Sequence, residues 1–268
     1  MPPLLVLWDV DYTLVATDGA GRYLYEVVLA ELYGLDMPSP LTSMAGRTDS
    51  SIALEVLTAA GVNEPEAELS RFQDLLAVRA PELDGMVREH GRVLPGAEAA
   101  IAAVADLAGR DDRQPVIQSL LTGNIPALAR VKLGALGLTE HLDLSIGAYG
   151  DVSQLRADLV PVARQLAAGR YGADFSGTAT VLIGDTPNDI EAAATAGARS
   201  VGIATGSFTM QQLIDAGADV VLADLTDADL LVAALLRPDS VGLGTPASHD
   251  TPTGFGVAAG QGTLSELD

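Results

Sequence analysis

The chain of 268 residues has no cysteine. Disulfides, zinc–thiolate sites and thiol nucleophiles are therefore excluded. Its three histidines, His90, His141 and His249, lie far apart in sequence and suggest no metal cluster. Positive charge is also scarce: 15 Lys and Arg stand against 36 Asp and Glu, for a formal net charge of −21. That balance argues against nucleic acid or an anionic membrane surface as a partner. No run of about 18 apolar residues suggests a membrane span, and the start MPPLLVLWD lacks the basic segment and long apolar run of a secretory signal. A cytoplasmic location is the expectation, with monomer and dimer both open. Lys132 is the only lysine, beside fourteen arginines.

What is present is an ordinary globular balance, 48% hydrophobic and 19% charged. Short apolar runs occur at 4–8, 116–121, 143–147, 180–183 and 200–204, and helical patterns such as GAEAAIAAVADLAG and QLRADLVPVARQLAAG separate most of them. Strands alternating with helices predict an α/β fold with a doubly wound parallel sheet covered on both faces. A sixth unit, ADVVLADLTDADLLVAALL, extends the sheet or packs at its edge. Residues 18–90 carry helical patterns and no convincing strand; GRYLYEVVLAELYGL, for example, places apolar residues at 24, 27, 28 and 32 on one face. An all-helical module inserted after the first strand is therefore expected, with HGRVLPGAEAA as the returning hinge. The expected division is an α/β core at 1–16 and 91–237, a helical insert at 17–90, and a flexible tail rich in Gly, Pro, Ser and Thr at 238–268.

Ligands of open parallel sheets bind beyond the carboxyl ends of the strands. The first strand is followed by DVDYT, with Asp9 and Asp11 on the same side and Val10 opposite. The second is followed by TGN, with Thr122 and Asn124, and the fourth by GDTPND, with Asp185 and Asp189. Four carboxylates converging at one end of a sheet repel each other unless a cation neutralises them. All-oxygen ligands favour Mg²⁺ over a transition metal. Lys132 lies in a helix following the TGN loop, and a compact ammonium suits contact with a carboxylate and a phosphate together.

In order, DVDYT, LLTGN, Lys132 and LIGDTPNDI resemble the four motifs of the haloacid dehalogenase-like hydrolase superfamily. The resemblance spans residues 4 to about 236, and the insert resembles the alpha-helical cap of the phosphoglycolate phosphatase-like branch. It implies a sheet in the order fifth, fourth, first, second, third strand. It also implies Mg²⁺-dependent hydrolysis of a small phosphorylated metabolite, for which phosphoglycolate is the branch's best-known example. Asp9 would be the nucleophile that forms an aspartyl-phosphate, and Asp11 the general acid and base. Mg²⁺ would be held by Asp9, the backbone carbonyl of Asp11 and Asp185. Asp189 would ligate through water or orient Lys132. Thr122, with backbone N–H groups near Gly123 and Asn124, would bind the phosphoryl oxygens. Many relatives carry the motif lysine in a Lys-Pro pair shortly before the fourth motif. GAYGDVSQLRADL has none, so Lys132 takes that role and Arg156 is the alternative. A phosphomutase like β-phosphoglucomutase would share every core residue. A true dehalogenase would need neither Asp11 nor Asp185, and an intact core set argues against a silent binding protein.

Two features stay open at this level. In MAGRTDSS, Thr48, Asp49 or Ser50 suits the N-cap of the following helix, while Arg47 is placed to contact the non-phosphate end of a substrate. Tyr12, Tyr23 and Tyr25 either line a cleft near the hinge or pack in the core.

Overall fold

The computed structural model describes residues 3–108 and 115–237. The expected tail, 238–268, lies outside the described residues. The chain opens with β1 (Leu4–Trp8), a strand buried along its whole length. Leu4, Val6 and Trp8 face one layer of the core, and Leu5 and Leu7 the other. This is the alternation of a strand with helices on both sides. The chain then forms β2 (Val15–Ala16), α1 (Ala20–Tyr33), α2 (Asp49–Ala59), α3 (Pro65–Arg79) and α4 (Asp84–His90). It returns through β3 (Arg92–Val93) to α5 (Ala97–Ala108), β4 (Val116–Leu120) and α6 (Pro126–Ala135). The second half contains α7 (Leu159–Tyr171), β5 (Thr180–Gly184), α8 (Pro187–Thr195), β6 (Arg199–Ile203), α9 (Met210–Asp215), β7 (Val220–Leu222) and α10 (Ala228–Leu235).

The main sheet has the order β4-β1-β5-β6-β7, and every pairing within it is parallel. β1 is central, with Trp8 paired to Leu120 on one side and Ile183 on the other. One face is covered by α5, α6 and α10, through residues such as Ile101, Leu133 and Leu231. The other is covered by α7 and α8, through Leu159, Ala163 and Ala193. Each fully buried Leu or Val contributes about 1.5–3 kcal/mol, so these layers set the position of the strand ends. Among the described residues, no helix is long and apolar enough to cross a membrane.

One expected strand is absent. Residues 143–147 form turns beside β4, and the segment joins the sheet only through a bridge between Leu121 and Ala148. Local hydrogen bonds account for the difference. The Asp143 carboxylate accepts from the Ser145 backbone N–H at 3.0 Å and hydroxyl at 2.6 Å, and the Ser119 hydroxyl donates to the Asp143 carbonyl at 2.7 Å. Such side-chain bonds compete with a strand ladder. The sixth unit supplies β7, which extends the opposite edge.

Helices α1 to α4 build a separate apolar cluster around Leu24, Tyr25, Phe72, Leu76 and Val87. The Tyr25 and Phe72 rings pack 5.6 Å apart, tilted by 55°. The buried face of α1 is Ala20, Leu24, Tyr25, Val28 and Leu29, so Val27 and Leu32 of the expected stripe sit at its margin. The cluster also takes in Ile125 and Leu128, which seats it on α6. The chain's two crossings run side by side, with Val15 paired to Val93 and Ala16 to Arg92.

Candidate active site

The carboxyl ends of β1, β4, β5 and β6 open into a cavity of about 580 Å³ lined also by residues of α1, α2 and the loop before α2. Asp9, Asp11, Thr122, Gly123, Asn124, Lys132 and Asp185 all line it. The two carboxylates after β1 have different partners. Asp9 is buried and accepts from Arg156 Nη2 at 2.6 Å. Asp11 is gripped by Lys132 Nζ at 2.6 and 2.8 Å and by Asn124 Nδ2 at 2.7 Å. Lys132 Nζ also donates to Asn124 Oδ1 at 2.7 Å, and Asn124 Nδ2 to Thr122 Oγ1 at 2.8 Å. Lys132, Asn124, Thr122 and Asp11 therefore form one connected network on the β4 side of β1.

On the β5 side, Asp9, Asp185 and Asp189 are all buried, and each offers a carboxylate oxygen within 4.8 Å of the others'. Asp189 sits in the first turn of α8. Its Oδ2 accepts from the Thr186 backbone N–H at 3.1 Å and hydroxyl at 2.7 Å, the reciprocal box that starts the helix. Its Oδ1 accepts from Arg156 Nη2 at 2.7 Å. Gly184 makes this seat possible, because a Cβ there would lie 2.1 Å from the Asp189 carboxyl carbon.

The electrostatics follow from burial. Desolvation, with Asp9 and Asp189 adding repulsion, pushes the Asp185 carboxyl up to about 9. Burial also raises Asp9, to about 6, although Arg156 opposes it. Burial works against the charge of Arg156, yet Asp189 and Asp9 hold its guanidinium firmly protonated, above its usual range. Three carboxylates against one guanidinium leave an unmet demand for positive charge. The donors are hard oxygens only, so a small divalent cation fits this set on chemistry and on charge.

The loop before α2 closes on the network from the helical side. Asp49 N donates to the Gly123 carbonyl at 2.7 Å and Ser50 N to the Gly150 carbonyl at 2.8 Å. A Cβ on Gly123 would stand 1.9 Å from the Arg47 carbonyl oxygen, so this approach needs glycine. Thr48 is the N-cap of α2, accepting from Ser51 N at 3.2 Å. Arg47 lines the cavity, with its Nη1 on Glu55 and its Nη2 on the Ser51 carbonyl at 3.0 Å. Tyr12 lines the cavity as a half-exposed residue, while Tyr23 is exposed and outside it.

Three contributions escaped the sequence reading. Arg156, named only as an alternative to Lys132, is the cation that touches Asp9; Lys132 touches Asp11. Both basic groups are in place, on different carboxylates. Asp49 is more than a candidate cap. It is buried, accepts from Tyr25 Oη at 2.8 Å and from the Ile125 backbone N–H at 2.7 Å, and burial raises it to about 6. Thr205, Gly206 and Ser207, after β6, line the cavity as well. The strand-end rule applied to β1, β4 and β5 would have found them at IATGS.

A family model described as HAD-hydrolase-like matches residues 157–228. A full-length relative is the probable phosphatase IndB of Dickeya dadantii, 27% identical over 254 residues, spanning 88% of this chain and 96% of that protein. Over residues 157–228 the chain is thus similar to the haloacid dehalogenase-like hydrolases, and over most of its length to a probable phosphatase. The model match takes in Asp185 and Asp189. Two solved structures resemble this chain in fold. One is described as a predicted phosphatase from Clostridium acetobutylicum, with a TM-score of 0.60 and 17% identity, over 88% of this chain and 99% of that one. The other is described as a predicted phosphoglycolate phosphatase from Haemophilus somnus 129PT, with a TM-score of 0.59 and 19% identity, over 86% and 98%.

Proposed function

We propose that this chain is a haloacid dehalogenase-like hydrolase, a Mg²⁺-dependent phosphatase that cleaves a small phosphate monoester in the cytoplasm through an aspartyl-phosphate on Asp9. The observation that carries the reading is the separation of the two carboxylates after β1. Asp9 joins the cluster with Asp185 and Asp189, while Asp11 is held by Lys132 and Asn124. Groups two residues apart with such different surroundings are suited to different tasks.

In the first half-reaction an Asp9 oxygen attacks phosphorus, the ester P–O bond breaks, and Asp11 gives its proton to the departing alkoxide. In the second, Asp11 takes a proton from water, the water oxygen attacks phosphorus, and the Asp9 carboxylate leaves with its electron pair. Thr122 and the N–H groups around Gly123 and Asn124 hold the phosphoryl oxygens, and Lys132 keeps Asp11 aimed at the ester oxygen. Asp9, the Asp11 backbone carbonyl, Asp185 and Asp189 would hold Mg²⁺. When bound, it offsets charge on the phosphoryl group. The helical insert, residues 17–90, would act as the cap that shuts water out of the first half-reaction.

Chelation tests this directly. EDTA-treated protein in metal-free buffer is expected to release no inorganic phosphate from p-nitrophenyl phosphate, and added Mg²⁺ to restore turnover. Full activity without a divalent cation would refute the metal assignment. Inorganic phosphate as the product also separates hydrolysis from transfer of the phosphoryl group within a sugar phosphate.

A further inference from the structure

Among the described residues, four cationic side chains line the cavity: Arg22, Arg47, Lys132 and Arg156. Arg156 is bound by Asp9 and Asp189, and Lys132 by Asp11 and Asn124. Both belong to the phosphate end. Arg22 stands half-exposed at the mouth, paired with Glu26 at 3.1 Å, where water screens it. Arg47 is thus the cation on the wall that a leaving group would face, beside Ser43, Met44, Ile52 and Leu128. Its guanidinium is already engaged, with Nη1 on the Glu55 carboxylate and Nη2 on the Ser51 carbonyl.

Glu55 is itself fixed. Its Oε1 accepts from the Thr42 backbone N–H at 2.8 Å. That bond, with the Arg47 contact, holds its carboxyl down at about 2, so it is ionised throughout the physiological range. Glu55 and Ser51 both lie on α2, and Arg47 lies just before its N-cap, so the arginine folds back onto its own helix. Five carboxylates also line the cavity: Asp9, Asp11, Asp18, Asp49 and Asp185. A second anion on the substrate would enter this field without a free counter-charge, or would have to displace Glu55.

We infer that Glu55, by holding Arg47, sets the substrate class: phosphate monoesters whose leaving group carries no second anion. The inference rests on the phosphatase reading above and narrows it away from carboxylated esters such as phosphoglycolate. Glu55 is a specificity-determining residue that acts through Arg47.

The test uses the full chain with Mg²⁺ and two pairs of esters matched in size. These are 2-phosphoglycolate against 2-hydroxyethyl phosphate, and 3-phosphoglycerate against glycerol 3-phosphate. The neutral member of each pair is expected to have the higher kcat/KM, by roughly tenfold or more. Glu55→Gln keeps an acceptor for Thr42 N but frees Arg47. It should raise kcat/KM for the carboxylated members, through a lower KM, by roughly fivefold or more, and leave the neutral members within about twofold. A wild-type preference for the carboxylated members would overturn the inference while leaving the phosphatase reading intact. So would a ratio unchanged in a Glu55→Gln protein that melts like wild type. If neither pair nor p-nitrophenyl phosphate is hydrolysed, the phosphatase reading fails and the inference with it.

Discussion

Asp9→Asn is expected to abolish turnover, by at least about 10⁴-fold for any phosphate ester, while the protein stays folded. The amide has nearly the same shape but lacks the charged oxygen that attacks phosphorus, so no covalent intermediate forms. Folding survives because the change also removes a buried charge whose ionisation burial already opposes. Steady-state rates with p-nitrophenyl phosphate, with a melting curve on the same sample, check both parts. Near-normal turnover would remove Asp9 as the nucleophile.

Arg156→Met should act mainly on stability. The side chain is buried, and its Nη2 lies 2.6 Å from Asp9 and 2.7 Å from Asp189. Removing one partner of a buried ion pair costs about 3–5 kcal/mol. For a chain of this size that lowers Tm by roughly 5–10 °C. The deficit should depend on pH, with a definite sign. Asp9 has a folded pKa raised to about 6 from 3.8, so its contribution to stability is present below the unfolded value and lost as pH rises through the folded one. Arg156 limits that rise; without it the loss continues to higher pH. In metal-free buffer the difference in Tm between variant and wild type should therefore be larger near about pH 8 than near about pH 5. Equal Tm values near about pH 8 would show that Arg156 does not neutralise the cluster.

These residues also show how much the sequence could disclose. The strand ends were readable because β1 and β5 are apolar runs broken by aspartate, and the rule for parallel sheets says where a ligand then lies. Lys132 was readable because this chain spends arginine everywhere else, so one lysine carries information. Arg156 is the reverse case. It is one of fourteen arginines, in a short 3₁₀ turn before α7, and only the fold brings it across 147 residues to Asp9. Asp49 suits a helix start on local grounds, and its burial against Tyr25 and Ile125 is a tertiary fact. The lost strand at 143–147 failed for a local reason. Apolar composition suggested a ladder, while Asp143 and Ser145 had a closer hydrogen bond to make. The carboxyl end of β6 was as readable as the others, since IATGS follows an apolar run.

The central claim is the covalent step on Asp9, and Asp11→Asn offers the most direct view of it. This variant keeps Asp9 and the Asp11 backbone carbonyl but loses the proton donor and base, a loss of roughly 10²–10⁴-fold in turnover. An aryl phosphate needs little protonation of its leaving group, so the first half-reaction should still proceed, while water attack lacks its base. Intact-mass measurement of the variant mixed with p-nitrophenyl phosphate and Mg²⁺ should then show protein carrying one phosphoryl group. Borohydride reduction should place that group on Asp9. A variant that turns over slowly yet never carries phosphate, or carries it on another residue, would contradict the account.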